Sequence, residues 1–263
     1  RNTGTISVGG SDPINKIFSV GMAAGYIGDS STPATTGNIE NNGTINVNGK
    51  YSIGMYGTER GTRVTNDGTI NLNASNTTGM YLDNGAYGIN NGIIQSSGSG
   101  LKRIVGVVVK NGSTIENNGT INIGNGGTGL AGINYLGVTA TPASSIPTYG
   151  NQSIELVHNG NIVSTGNSAA IGVLASDLKS VVDKNGTTLN ITNANAARIT
   201  LGSNSTIDVS SAAGGVGVYS KGLLRNGRMA SVIDNGSKIK LNTNGIGLYL
   251  EGTELTAVAA GSI

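Results

Sequence analysis

Three kinds of short segment recur along this chain, always in the same order, and this repeat limits the possible folds more than any other feature. The first kind is NNGTINV at Asn41 to Val47. It returns with small changes as NDGTINL at 66–72, NNGIIQS at 90–96 and NNGTINI at 117–123. The second kind is SIGMY at Ser52 to Tyr56, and the third is a β-type run such as STIEN at Ser113 to Asn117. Each segment is bounded by Gly, Asn or Asp, and no stretch shows convincing helical periodicity.

One glycine of the second segment recurs once per repeat, so its spacing measures the length of the repeat. We call this series of glycines the glycine ruler. It is found at Gly21, Gly54, Gly79, Gly106, Gly132, Gly172, Gly217 and Gly247, with spacings of 33, 25, 27, 26, 40, 45 and 30 residues. A basal period near 25 with three strands predicts an all-β fold: a right-handed parallel β-helix, or three-faced β-solenoid, of about eight coils. We expect residues 1–263 to form a single continuous β-helix segment, with protruding loops near 9–36, 137–150 and 177–203 where the period is interrupted.

Alternation along the strands predicts which side chains face the core. In the first segment Ile45, Ile70 and Ile121 are expected to form an inward column, with Thr44 and its equivalents pointing outward. The Asn-Asn-Gly corners are predicted to supply positive φ angles, which Gly and Asn tolerate best. Asn amides stacked in register are predicted to hydrogen-bond along the rod, and neighbouring coils of the same chain are each coil's main partners.

The composition excludes several other classes. The chain has 44 Gly but only 4 Pro, so it is neither collagen-like nor a Pro-rich linker. The formal charge of +2 is scattered, with Lys102 and Arg103 as the sole adjacent basic pair, which argues against a nucleic-acid surface. No apolar run approaches the roughly 18 residues of a membrane span. There is no Cys, so no disulfide can form.

Tyrosines of the second segment are the first candidates for binding. If Ile53 and Met55 point inward, Tyr56 points outward, and the same register places Tyr81, Tyr219 and Tyr249 on the outer surface. Val108, Asn134 and Leu174 would lie between them. Such a column can be a ladder that stabilises adjacent coils, or an aromatic platform for a sugar or a partner surface. The opposite register would bury the tyrosines.

Two further regions are candidate contacts. One is the insertion at 137–150 with Tyr135, Tyr149 and the nearby His158, which is expected at the surface. The other is the Ser/Gly-rich loop with Lys102 and Arg103, which could meet acidic glycans or form a solvated turn.

The phrases NNGTINVNGKYSIGMY and NDGTINL…TTGMYL resemble the repeats of giant fusobacterial autotransporter adhesins. The resemblance covers most of the chain and is strongest from Gly37 to Tyr135 and from Val216 to Leu250. It implies type V secretion, a role in virulence and a place within a longer passenger at the bacterial cell surface. Anchoring in the outer membrane would be through a C-terminal barrel outside this sequence. It also implies cell adhesion, with surface proteins or glycans of other bacteria or host cells as partners.

Two other functions remain open: a vacuolating-toxin-like passenger and a polysaccharide-active β-helix enzyme. Such an enzyme needs clustered carboxylates, often with Ca²⁺. The candidates are Asp67 with Asp83 and Asp177 with Asp183, for which solvated turns are the default interpretation. The Ca²⁺-binding GGxGxD repeat is absent. The sequence therefore favours a protein that is not an enzyme and uses no cofactor or metal.

Overall fold

The computed structural model describes residues 1–15, 17–28, 31–96, 98, 100–135, 153–178, 180–182, 188–190, 196–222 and 229–257. These residues form three parallel sheets of eight strands each. Apart from one short antiparallel pair described below, successive strands of the chain belong to the first, second and third sheet in turn. Three strands therefore make one coil, and eight coils stack along the rod. The predicted right-handed parallel β-helix is confirmed. No helix that could span a membrane occurs in the described ranges.

The strand bounds follow the three repeated segments. The first sheet contains β1 (Thr5–Val8), β4 (Thr44–Val47), β7 (Thr69–Leu72), β10 (Ile93–Ser96), β13 (Thr120–Ile123), β16 (Asn161–Ser164), β21 (Thr206–Asp208) and β24 (Lys238–Lys240). The second contains β2 (Val20–Ala24), β5 (Ile53–Thr58), β8 (Thr78–Asp83), β11 (Val105–Lys110), β14 (Thr128–Tyr135), β17 (Ile171–Leu178), β22 (Val216–Lys221) and β25 (Ile246–Glu251). The third contains β3 (Asn38–Asn41), β6 (Arg63–Asn66), β9 (Tyr87–Asn90), β12 (Thr114–Asn117), β15 (Glu155–His158), β20 (Arg198–Leu201), β23 (Ala230–Asp234) and β26 (Thr253–Ala257).

The predicted isoleucine column of the first sheet runs through the core. Ile45 pairs with Ile70, Ile70 with Ile94 and Ile94 with Ile121, and all four side chains are fully buried. Each coil alone would leave this face exposed, and stacking removes it from water on both sides. Only the end coils leave the column partly open, at Ile6 and Ile239.

The glycine that the sequence assigned to the ruler in the fifth coil, Gly132, is the wrong one. Thr128 pairs with Val105, so Gly129 is the equivalent of Gly106, and Gly132 lies three residues further along the strand. A side chain at Gly129 or Gly106 would collide with the isoleucine column, because a Cβ at Gly106 would lie 2.5 Å from Ile121 Cγ2. The ruler position is therefore a glycine because isoleucine methyls of the first sheet occupy the space where its side chain would stand.

The Asn-Asn-Gly corners do not use positive φ, contrary to the prediction. Positive φ is found at residues such as Tyr51, Asn84 and Asn111, and none of the described corner residues at 41–43, 66–68, 90–92 and 117–119 has it. The corner glycine is required by close stacking instead. A Cβ at Gly68 would overlap the carbonyl oxygen of Gly43 in the preceding coil.

The predicted ladder of asparagine amides exists, and it is buried at the corner between the third and first sheets. Each Nδ2 donates to the Oδ1 of the next coil. The distances are 2.7 Å from Asn2 to Asn41, 2.8 Å from Asn41 to Asn66, 2.7 Å from Asn66 to Asn90 and 2.7 Å from Asn90 to Asn117. The side chains from Asn41 to Asn117 are fully buried, so these bonds satisfy polar groups that water cannot reach.

His158 continues this ladder, and the expectation that it lies at the surface is wrong. Its side chain is fully buried, with Nδ1 at 3.0 Å from Asn117 Nδ2 and Nε2 at 3.1 Å from the Thr206 carbonyl oxygen. The amide must donate to Nδ1 and the carbonyl must accept from Nε2, so the ring is the neutral tautomer with its proton on Nε2. Burial lowers the His158 pKa to about 4.

The three predicted loops, at 9–36, 137–150 and 177–203, are considered in turn. Residues 9–36 contain β2 and two short antiparallel bridges, Asp12 with Ile17 and Tyr26 with Thr35. Residues 137–150 lie outside the described residues. The stretch 177–203 is only partly a loop, because it contains β20 of the third sheet and an antiparallel pair, β18 (Ser180–Val182) with β19 (Thr188–Asn190).

Candidate binding face

The outer face of the second sheet carries two parallel columns of side chains, one residue per coil in each. The tyrosine column consists of Ala23, Tyr56, Tyr81, Val108, Ala131, Leu174, Tyr219 and Tyr249. The flanking column consists of Val20, Ile53, Thr78, Val105, Thr128, Ile171, Val216 and Ile246. Most of these side chains are apolar or aromatic and half-exposed.

The tyrosines face outward as predicted, but the reasoning about their neighbours is half wrong. Met55 is fully buried, whereas Ile53 is half-exposed and belongs to the outer surface. Gly54 between them also faces the core, so strict alternation breaks at the glycine. Because the ruler shifts by three residues in the fifth coil, Ala131 rather than Asn134 stands between Val108 and Leu174.

The outer faces of the other two sheets are more polar, although Ile93 of the first sheet and Ile233 of the third are exposed. The first sheet shows amides that bond between coils, such as Asn71 Nδ2 donating to Asn46 Oδ1 at 2.8 Å. The third sheet shows charged pairs such as Arg198 with Glu155, whose N–O distance is 3.5 Å. The second sheet therefore has the more continuous apolar outer face, with two apolar or aromatic columns side by side, and extended apolar patches of this kind mark interaction sites.

A cavity of about 390 Å³ opens on this face near its N-terminal end. It is lined by Phe18, Val20, Ile53, Tyr56, Tyr81 and Asp83, and we call it the tyrosine pocket. The rings of Tyr56 and Tyr81 are 5.8 Å apart at their centroids and tilted by 35°. Phe18 comes from the segment between β1 and β2, so the first predicted loop contributes one wall.

Two groups of opposite charge lie beside the rings of the tyrosine pocket, the Asp83 carboxylate and the Lys110 ammonium group. Asp83 Oδ1 accepts from the Asn84 backbone N at 2.8 Å and from Asn111 Nδ2 at 2.6 Å, which fixes the carboxylate. Lys110 Nζ lies 5.7 Å from the ring centroid of Tyr81. Burial raises the pKa of Tyr56, and the negative charge of Asp83 adds to this effect, while a hydrogen bond with Thr58 and the charge of Lys110 act in the opposite direction. The Tyr56 hydroxyl is therefore protonated at neutral pH.

The second tyrosine pair lies at the other end of the column. Tyr219 and Tyr249 stack with their centroids 4.8 Å apart and their planes at 4°. Next to them Lys221 Nζ and Glu251 Oε1 form an exposed ion pair at 3.2 Å. The stacked rings of Tyr219 and Tyr249 have the geometry of a ladder that stabilises adjacent coils, which is the first of the two interpretations given for the column.

Of the other predicted contact residues, Lys102 and Arg103 lie apart from this face. Lys102 and Arg103 are exposed in the turn before β11, where Arg103 has a φ of 56° and the Lys102 carbonyl accepts from the Asn76 backbone N at 2.9 Å. Tyr135 ends β14, and nothing is described of its side chain. Tyr149 lies outside the described residues. The structure does not bring Lys102 and Arg103 into the tyrosine pocket.

The carboxylates considered for catalysis are in separate places. Asp67 is exposed at the corner before β7, and its Oδ1 accepts from Asn91 Nδ2 at 2.8 Å. Asp83 ends β8 and lines the tyrosine pocket. Asp177 is buried and accepts from the Ala197 backbone N at 3.2 Å, while Asp183 lies outside the described residues. Within the described ranges no three His, Cys, Asp or Glu residues are grouped as for a metal.

Sequence reasoning missed three members of this site: Phe18, Asp83 as a pocket residue, and Lys110. Phe18 carried a usable signal, because it is the single Phe of the chain and falls in a predicted insertion. Asp83 lies two residues after Tyr81 on β8, and the pairing of β5 with β8 brings it close to Tyr56. Lys110 becomes a neighbour of Tyr81 through the register between β8 and β11, which the sequence segments alone do not show.

Residues 1–93 match the family model described as the BigA third pectate lyase-like domain. The matched part of the chain contains all six described residues that line the tyrosine pocket. Neither a curated protein nor a solved structure matches the chain. The match covers about a third of the chain, and it is consistent with the resemblance to the passenger repeats of autotransporter adhesins.

Proposed function

We propose that this chain is an adhesive segment of an autotransporter passenger, anchored in the outer membrane through a C-terminal barrel and attaching the cell to other bacteria or to host cells. The observation that carries the proposal is the apolar outer face of the second sheet. The inward columns account for most of the stability of the rod, whereas Tyr81 and Val105 leave part of their apolar surface in contact with water unless a partner covers it.

The stacking interpretation explains part of this face and not all of it. Tyr219 and Tyr249 stack closely and can stabilise adjacent coils. Tyr56 and Tyr81 are further apart, tilted, and open onto a cavity. Aromatic side chains that remain accessible beside a cavity favour recognition of a ligand, since they present a large rigid surface at low entropic cost.

The test is attachment of the purified 263-residue chain, coupled to beads, to panels of bacterial and epithelial cells. Replacing Tyr56, Tyr81, Tyr219 and Tyr249 together with Thr, which already occurs on this face at Thr78, should lower attachment at least about tenfold. The matched control replaces the outward Thr44, Thr69 and Thr120 of the first sheet with Ser and should attach like the parent.

Two outcomes would contradict the proposal. One is a parent chain that binds no cell type while remaining folded by circular dichroism. The other is equal attachment by the tyrosine variant and the parent. A variant lacking 137–150 belongs in the same experiment, because loss of attachment there alone would place the contact at that insertion instead.

A further inference from the structure

We propose that the tyrosine pocket binds the end of a neutral glycan chain. This inference rests on the proposed function, because it names the class of ligand that an attachment surface of this kind recognises. It concerns Phe18, Tyr56, Tyr81 and Asp83, and it separates this end of the outer face from the stacked pair at Tyr219 and Tyr249.

The shape and lining of the pocket fit a sugar ring. Its volume of about 390 Å³ lies at the lower end of the roughly 300–1,000 Å³ typical of ligand sites. A pyranose ring presents a face of C–H groups with hydroxyls around its rim. The C–H face packs on aromatic rings such as Tyr56, Tyr81 and Phe18, while the rim needs a few polar groups nearby.

Asp83 and Tyr56 supply those polar groups. Asp83 Oδ1 is held by Asn84 and Asn111, so the carboxylate is oriented before any ligand arrives. Its Oδ2 accepts no hydrogen bond from the described residues, and a carboxylate oxygen in this setting is a strong acceptor for a sugar hydroxyl. The Tyr56 hydroxyl remains protonated at neutral pH, so it can donate to a ring or glycosidic oxygen.

The balance of charge favours a neutral ligand over a charged one. A cationic peptide side chain would be attracted by Asp83 and the aromatic rings, but Lys110 already lies beside Tyr81 and would repel it. An acidic sugar would be repelled by Asp83. A ligand that is rich in hydroxyls and carries no net charge avoids both penalties.

The experiment titrates the 263-residue chain with the methyl glycosides of glucose, galactose, mannose and N-acetylglucosamine, followed by calorimetry and saturation-transfer NMR. At least one glycoside should bind. Tyr81→Ala and Asp83→Asn should each weaken that binding about tenfold or more, and Tyr81→Phe should weaken it less than about threefold, because the ring is kept. The matched control is Leu174→Ala, at the same position of its coil and outside the pocket, which should bind like the parent.

The inference is overturned if no neutral glycoside binds, or if Tyr81→Ala binds as the parent does. It is also overturned if a lysine-containing peptide or sialyllactose binds this pocket in preference to all four glycosides. These failures differ from failure of the proposed function. Cell attachment that persists in Tyr81→Ala and Asp83→Asn leaves the adhesin standing without a glycan pocket, whereas glycoside binding without cell attachment supports the pocket alone.

Discussion

The buried corner of the rod and the outer face of its second sheet are both built from one residue per coil, yet they tolerate change differently. At the corner, Asn41, Asn66, Asn90 and Asn117 are joined amide to amide, and each depends on the coil on either side. On the outer face the same position holds Tyr81, Val108 and Ala131 in three successive coils. The corner is constrained by hydrogen bonding without water, and the outer face is constrained only where residues pack or bind a ligand.

This difference predicts a separation of effects. Substitutions at the corner or along the glycine ruler should lower the free energy of unfolding and leave attachment intact wherever the rod still folds. Substitutions on the outer face should lower attachment and change the free energy of unfolding only slightly. The following predictions test that separation, from the largest expected effect on stability to the smallest.

Asn90→Ala should have the largest effect. It leaves the Asn66 amide without its acceptor and the Asn117 oxygen without its donor, both in a buried corner. Two unsatisfied buried groups should cost about 4 kcal/mol in the free energy of unfolding, measured by urea denaturation. The matched control is its exposed neighbour, Asn91→Ala, which should cost a few tenths of a kcal/mol. Equal losses in the two variants would refute the importance of the buried ladder.

His158 should make stability depend on acid. Its pKa in the folded chain is about 4, and its ordinary value is 6.5. At a pH between these two values, His158 binds a proton in the unfolded chain and stays neutral in the folded chain. Stability should therefore fall as the pH drops from about 6.5 to about 4, by about 3 kcal/mol in total.

His158→Asn is the control for this prediction, because an asparagine oxygen can accept from Asn117 without titrating. The measurement is the difference in unfolding free energy between parent and variant at a series of pH values, which cancels the titration of the carboxylates. A difference that stays constant from pH 7 to pH 4 would show that His158 is not held neutral.

Gly106→Ala should cost about 2 kcal/mol, because the new methyl would meet Gly129 O at 2.6 Å as well as the isoleucine column. Gly100→Ala is its control, since no heavy atom lies within 4 Å of a Cβ at Gly100. Thermal unfolding followed by circular dichroism compares the two. If the two variants unfold at the same temperature, the ruler glycine does not depend on packing.

Tyr249→Ala should have the smallest effect, about 1 kcal/mol or less, through loss of the stacked contact with Tyr219. Tyr81→Ala should change stability by a similar amount, yet of these two variants only Tyr81→Ala should weaken glycoside binding, by about tenfold or more. Unfolding and binding are measured on the same preparations. A large loss of stability in Tyr81→Ala would mean that the tyrosine column is structural throughout.

Most of the fold could be predicted from periodicity, and the errors occur where one strand's environment depends on another strand. Gly132 and Gly129 are both followed by β-type residues, and only pairing with β11 shows that Gly129 is the ruler position. His158 has the sequence context of a surface turn, and only the Asn117 amide and the Thr206 carbonyl make it a buried ladder member. The glycines of the Asn-Asn-Gly corners were correctly placed, but they are required by close stacking of the coils and not by positive φ angles.

The candidate site was predictable only in part. Alternation placed Tyr56 and Tyr81 outside, because a strand with Met55 and Met80 in the core must turn the next residue outward. It could not bring Phe18 and Lys110 to them, since Phe18 lies in an irregular segment and Lys110 belongs to the next coil. Nor could it reveal that Ile53 belongs to the same face.

The sequence by itself determined the repeating unit: three short strands per coil, an inward isoleucine in each coil, and turns of Asn and Gly. Backbone pairing and burial of apolar surface have the same requirements in every coil, so they leave a periodic record in the residues. The tertiary structure alone decided which amides lie in the dry corner, which glycine meets the isoleucine column, and which side chains enclose the tyrosine pocket. Those outcomes depend on register between coils, and register is a property of the stacked chain that no single segment contains.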